Sequence, residues 1–215
     1  ACIAGDEAMQ QAFRDGRDIH TATAAQVFHV APEDVTHEMR RRAKAVNFGI
    51  VYGISAYSLS QDIGVTVAEA KDYMEAYFAS FPGVKAYMEA VVAKARENGY
   101  VETLFHRRRD LPELKSSNFN LRSFGERVAL NMPIQGTAAD LMKLAMVAVH
   151  RRLKAEGLRA RLVLQVHDEL IVECPEAEAE TAAKLLAEEM RGVAHLAVPL
   201  TAEAHWGRDW LEAKG

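Results

Sequence analysis

Apolar residues recur at helical spacing through most of the first 156 positions, and Gly, Pro and Asp punctuate the runs. Residues 6–14 and 21–28 read as short helices, with Asp15-Gly16-Arg17-Asp18 as the break between them. A longer helix is expected from Thr36, a suitable N-cap, to Tyr52, where Gly53 can stop it. Helical spacing continues over 66–79 and 84–98, divided by Phe81-Pro82-Gly83 and closed by Asn98-Gly99. Residues 100–120 read as irregular and basic. Residues 121–156 are helical again, with an interruption expected at Pro133 and Gly157 as terminator. Beyond that the period changes. Arg161–Val166 and Leu170–Cys174 are β-prone runs around His167-Asp168-Glu169, which reads as a hairpin. Glu176–Met190 is an alanine-rich amphipathic helix, and Val198–His205 is expected as a last strand. The pattern predicts an α+β fold in two lobes, a mainly helical one followed by one that mixes antiparallel strands and helices.

With 215 residues, 49% of them hydrophobic, the chain can bury a real core in one or two domains. It has no run of about 18 apolar residues, so no membrane span is expected. The start, ACIAGDEAMQQAF, has neither the basic opening nor the apolar stretch of a signal peptide. It also lacks an initiating Met, so the chain is expected to be a piece of something longer. Cys2 and Cys174 are the only cysteines, which points to a reducing, cytoplasmic setting. The net charge of -4 argues against a nucleic-acid binder, but its distribution does not. Residues 1–35 hold two basic and six acidic side chains, residues 36–130 fourteen and eleven, and residues 131–215 ten and thirteen. A basic middle within an acidic chain is compatible with phosphate contact.

Three groups of residues carry candidate chemistry. Arg40, Lys44, Phe48 and Tyr52 stand at steps of four, and each step advances only about 40° around a helix. Arg40–Lys44 lie in the opening turns, where free N–H groups favour anions and cations are misplaced against the helix dipole. A polyanionic ligand would relieve that conflict, and a triphosphate matches the roughly 6 Å rise from Arg40 to Lys44. A solvated basic turn followed by a buried Phe and Tyr explains the same spacing equally well. At the hairpin, Asp168 and Glu169 are adjacent carboxylates able to hold a hard cation such as Mg²⁺. An ordinary polar turn is the alternative, although a tight hairpin normally wants Gly or Asn and has neither. Arg127, Asn131 and Gln135 also stand at steps of four, and such donors suit the acceptors that all base pairs share in the minor groove. A polar helix face is the simpler account of them. His20 could meet a phosphate, and His106-Arg107-Arg108-Arg109 could track a DNA backbone.

Order and wording together go further. Arg40-Arg-Arg-Ala-Lys44-Ala-Val-Asn-Phe48-Gly-Ile-Val-Tyr52-Gly53 resembles the fingers motif of family A DNA polymerases, the bacterial DNA polymerase I group. Gln165-Val-His167-Asp168-Glu169 is similar to that family's palm hairpin. Asn131-Met-Pro-Ile-Gln135-Gly-Thr-Ala-Ala-Asp140 is similar to its minor-groove helix, and Asp18-Ile-His20-Thr21 also fits. The likeness runs from about Gly5 to the end, and it implies fingers over 1–121 and the C-terminal part of the palm over 122–215.

The resemblance also implies roles. Arg40, Lys44 and His20 would hold the incoming dNTP, with Lys44 protonating the pyrophosphate. Phe48 would stack near its sugar and base. Tyr52 would sit by the templating base and occupy its place when the fingers are open. Arg127, Asn131, Gln135 and His167 would contact primer–template DNA. Asp168 would bind catalytic metal, with Glu169 close by in support. The implied reaction is attack of a primer 3′-OH on the α-phosphorus, with two Mg²⁺ ions at the attacking and departing oxygens. Its setting would be the cytoplasm of a bacterial or phage-infected cell.

Two departures stand out. His106 occupies a position where the family commonly has Gly. The family's other palm motif, Asp-Tyr-Ser-x-x-Glu-Leu-Arg, does not occur in the chain, and Asp6 and Glu7 do not replace its metal-bridging Asp. One carboxylate position would therefore come from outside, on an N-terminal segment present as a separate chain or a cleaved piece. The chain alone is expected to be inactive. A non-catalytic DNA-binding module with a polymerase fold is the alternative. A metal-dependent hydrolase built on the hairpin leaves the Arg40–Tyr52 stripe unexplained.

Overall fold

The structure is a computed structural model that describes residues 1–214. It forms two compact units, Ala1–Gly136 and the part from Thr137 onward. The first holds helices α1 (Glu7–Arg14), α2 (Ile19–Phe28), α3 (His37–Val51), α4 (Ala56–Ile63), α5 (Val67–Ser80) and α6 (Pro82–Asn98). Strands β1 (Tyr100–Glu102) and β2 (Arg108–Asp110) follow, and then the first half of α7 (Phe119–Ala155). The second unit holds the rest of α7, strands β3 (Arg161–Val166) and β4 (Glu169–Glu173), and helices α8 (Ala179–Gly192) and α9 (Trp210–Lys214). The α+β class expected from the sequence is the class found.

Local chemistry sets the helix starts. Asp6, Asp18, Thr36, Ser55 and Thr66 each accept a backbone N–H at the head of their helix. Thr66 and Glu69 complete a reciprocal capping box. Asp6 also works at long range. While one oxygen accepts from Met9 N at 2.9 Å, the other accepts from Gly83 N at 2.8 Å and so ties α1 to the start of α6. A Cβ at position 83 would lie 2.9 Å from the Asp6 Cα, so only glycine allows that approach. Around this seam Met9, Val46, Ile50, Leu59, Ile63, Tyr77, Phe81 and Val84 form the main core of the first unit. A second cluster joins Ala95, Val101, Leu111, Leu114 and Ala129. The second unit packs around Met142, Val149, Leu153, Leu170 and Leu185.

The structure departs from the sequence expectations in several places. The helix α7 runs unbroken for 37 residues through Pro133. The ring removes one rung of the ladder, but Ala129, fully buried in its cluster, holds that turn against the rest of the unit. Residues 56–63, assigned to no element by their spacing, form α4. The segment 100–120 is not wholly irregular, because β1 and β2 pair antiparallel with Tyr100 opposite Asp110. Val198–His205 is not a strand. Its burial alternates as in a strand, but among the described residues β3 and β4 pair only with each other, and Pro199 lacks a ladder donor.

The β1–β2 turn explains the odd His106. Its φ is +61°, the left-handed region where Gly costs nothing and other residues are strained. The turn is fixed by Thr103, whose backbone pairs with Arg107 and His106 while its hydroxyl accepts from the N–H groups of Phe105 and Arg107. The His106 side chain is exposed and adds little packing. Replacing it with Gly is expected to stabilise the protein by about 0.5–1 kcal/mol, read as a higher urea midpoint at unchanged slope.

Candidate active site

Helix α3 carries the first group of candidate residues. Its inner face buries Ala43, Val46, Asn47, Gly49 and Ile50, and steps of four then turn Arg40, Lys44, Phe48 and Tyr52 outward. Phe48 is 48% exposed and Tyr52 43% exposed, which excludes the buried-aromatic explanation of the stripe. The two rings stack with centroids 6.4 Å apart, and the Lys44 ammonium lies 5.9 Å from the Phe48 centroid. His20, from the first turn of α2, sets its ring 5.8 Å from that of Phe48. Gln135 Nε2 donates to the Tyr52 hydroxyl at 3.1 Å. An open cleft of about 550 Å³ is lined by Phe48, Tyr52, Gly53, Ile54, Asp62 and Arg127, among others.

The electrostatics of the basic turn differ from the expectation. The arginines at the head of α3 are largely matched within the chain. Arg41 and Arg42 pair with Glu38 at 2.8 and 2.9 Å, and these contacts pull the Glu38 carboxyl down to about 2. Arg40 Nε donates to Asp18 at 2.5 Å, and Asp18 also accepts from Thr21 Oγ1 and His20 N. That hydrogen bond from Arg40, more than any other contact, holds the Asp18 carboxyl well below the usual carboxylate range. Among the described residues, Lys44 is the cation of this turn with no carboxylate partner. Desolvation pushes the His20 imidazole down, and the Arg40 and Lys44 charges add to that while Asp18 opposes it.

The first half of α7 presents Arg127, Asn131 and Gln135 on successive turns of one face. Asn131 Oδ1 is shut off from solvent and accepts no hydrogen bond among the described residues. The second unit carries the hairpin. Val166 pairs with Glu169, so the loop is two residues, His167-Asp168, and Glu169 already belongs to β4. The first central position of such a loop takes positive φ in both favoured turn types, and His167 supplies it at +53°. Gln165 Nε2 donates to the His167 carbonyl at 3.0 Å and staples the turn. The strained residue is a histidine where glycine would be free of cost, as at many functional sites. Asp168 is exposed, and its carboxylate pairs with nothing among the described residues. Glu169 is met by Lys214 at 3.2 Å. Two adjacent oxygen donors suit a hard cation, although no group of three or more His, Cys, Asp or Glu side chains comes together among the described residues.

Sequence reasoning missed Asp18 as the partner of Arg40, Lys214 as the partner of Glu169, and Asn47 beneath His20. Asp18 reads in the sequence only as the end of a break between helices, and pairings 22 and 45 residues apart leave no periodic trace.

The model of DNA polymerase family A matches residues 1–212, and the chain belongs to that family. It is 56% identical over its whole length to DNA polymerase I of Geobacillus stearothermophilus and 55% identical to that of Bacillus subtilis, covering 24% of each. It is 53% identical to the thermostable DNA polymerase I of Thermus filiformis, covering 26% of it. The chain thus spans about a quarter of the length of these relatives. Among solved structures it resembles the POL domain of Pol1 from M. smegmatis in complex with DNA primer-template and dNTP, with a TM-score of 0.95 and 45% identity. All of this chain and 38% of that one are covered.

The Arg40–Asp18 pair gives a direct measurement. The folded carboxyl titrates below its unfolded value, so its contribution to stability is present above the unfolded value of about 3.9 and is lost as pH falls through the folded one. Arg40→Ala is expected to move the Asp18 carboxyl titration, followed by carbon NMR, back up toward about 4. An unmoved titration would show that Arg40 is not what holds it down.

Proposed function

We propose that this chain supplies the fingers (residues 1–121) and the C-terminal part of the palm (122–215) of a DNA-directed DNA polymerase that adds dNTPs to a primer 3′ end. The observation that carries the proposal is the outward stripe of α3, with two cations one turn apart followed by two solvent-facing aromatic rings. Family membership and the likeness to a domain bound to primer-template and dNTP support it.

In this reading Arg40 leaves Asp18 to grip the triphosphate, Lys44 binds beside it and delivers a proton to the departing pyrophosphate, and His20 meets a phosphate oxygen. Phe48 stacks on the sugar and base, and Tyr52 fills the templating-base position until the fingers close. Arg127, Asn131, Gln135 and His167 hold the primer–template end through contacts that do not distinguish sequence. The protein contributes mainly positioning and charge stabilisation.

Asp168, supported by Glu169, would hold Mg²⁺, and the all-oxygen donor pair fits that ion. When bound, two such ions supply Lewis-acid stabilisation of the attacking and leaving oxygens. The remaining ligand position comes from a segment bearing the other palm carboxylate, so the chain by itself does not polymerise. Exposed Leu144, Val147, Val163 and Leu164 in the second unit offer apolar surface for such a segment to cover. The working place is the bacterial cytoplasm, in replication and repair. Among the described residues no helix is long and apolar enough to cross a membrane.

Primer extension tests this with the chain alone and with an N-terminal segment that carries the Asp-Tyr-Ser-x-x-Glu-Leu-Arg motif. Extension is expected only from the pair, and Asp168→Ala should abolish it. Lys44→Ala should slow it by roughly 10²–10³-fold. Synthesis by the isolated chain would refute the need for a second segment. A pair that binds primer–template yet never incorporates a nucleotide would identify a non-catalytic DNA-binding module instead.

A further inference from the structure

His20 does not stand alone on α2. Its Nδ1 lies 2.9 Å from Nδ2 of Asn47, on the inner face of α3. Asn47 is only 9% exposed, and its Oδ1 accepts from the hydroxyl of Thr23, which is fully buried, at 3.0 Å. The Thr23 contact occupies the carbonyl end of the amide and leaves the NH₂ end facing the ring. An NH₂ group only donates, so Nδ1 must accept and carries no proton. A neutral imidazole with a bare Nδ1 carries its proton on Nε2.

We propose that Asn47 is a positioning residue for nucleotide binding, which holds His20 as the Nε2–H tautomer so that the ring presents a donor to a triphosphate oxygen. The inference rests on the reading of His20 as a triphosphate ligand. The charged groups that face the ring are Asp18 on its own helix and Arg40 and Lys44 on α3. Burial keeps the ring neutral near pH 7, and a neutral ring in the other tautomer would turn a lone pair toward the phosphate. Thr23 and Asn47 prevent that without touching the ligand. Such a contact is maintained through the neutral pH range, unlike one that depends on an imidazolium.

The test uses ring nitrogen NMR shifts of the 215-residue chain and of Asn47→Asp, a change that keeps the side-chain volume. In the native chain Nδ1 of His20 is expected at the shift of an unprotonated nitrogen and Nε2 at that of a protonated one. In Asn47→Asp the carboxylate accepts from Nδ1–H, raises the imidazole pKa, and leaves Nε2 bare once the ring is neutral. Titration with dATP then separates the two proteins. The ratio of the variant Kd to the native Kd should rise about tenfold between pH 6 and pH 9, the loss of one charge-assisted hydrogen bond. A native ring with the proton on Nδ1, or a variant with the native shifts and a flat Kd ratio, overturns the proposal. His20→Ala with unaltered dATP affinity overturns the nucleotide reading of His20, and the proposal with it. The ring shifts tell these failures apart, because they report the tautomer without any nucleotide.

Discussion

A fifteen-residue helix has one side to bury and one to offer, and the division of α3 between the two is the constraint on which the site depends. Val46 and Ile50 are almost wholly enclosed, locked into the main core with Leu59, Tyr77 and Phe81. That packing fixes the rotation of the helix about its axis. With the rotation fixed, Arg40, Lys44, Phe48 and Tyr52 have no choice but to face outward. A slip of one residue would turn the stripe through about 100° and put charge into the core. The hydrophobic contacts of one face therefore aim the polar chemistry of the other.

The matching of charge in the opening turn follows a similar economy. Three arginines at the positive end of a helix dipole are unfavourable unless anions are close. Glu38 and Asp18 provide them without a ligand, so the turn is stable as it stands. Lys44, one turn further in, has no carboxylate partner among the described residues, which marks it as the cation with most to gain from a bound anion.

Much of this was legible in the sequence because it is local. Thr36 as a cap, the four-residue steps of α3 and a hairpin at 167–169 follow from rules that reach only a few positions along the chain, although Glu169 proves to belong to β4. The hairpin without Gly or Asn raised a question that the positive φ of His167 answers. What was not legible depends on contacts distant in sequence. Pro133 reads as a break until Ala129 is seen packed against Val101 and Leu111. Val198–His205 reads as a strand until it is found to lack a neighbour to pair with. The amide of Asn47 looks like one more polar residue on a helix, and gains its meaning only from Thr23 and His20 on α2.

Asp18 joins the two helices in a further way. Its carboxylate serves the N–H of His20 and the hydroxyl of Thr21 at the head of α2, and at the same time the guanidinium of Arg40. One negative charge is shared between two claimants. An anion that draws Arg40 away returns the whole of that charge to the end of the helix that holds His20. Capping and ligand capture are thus thermodynamically linked, and by reciprocity whatever strengthens the cap also eases the release of the arginine.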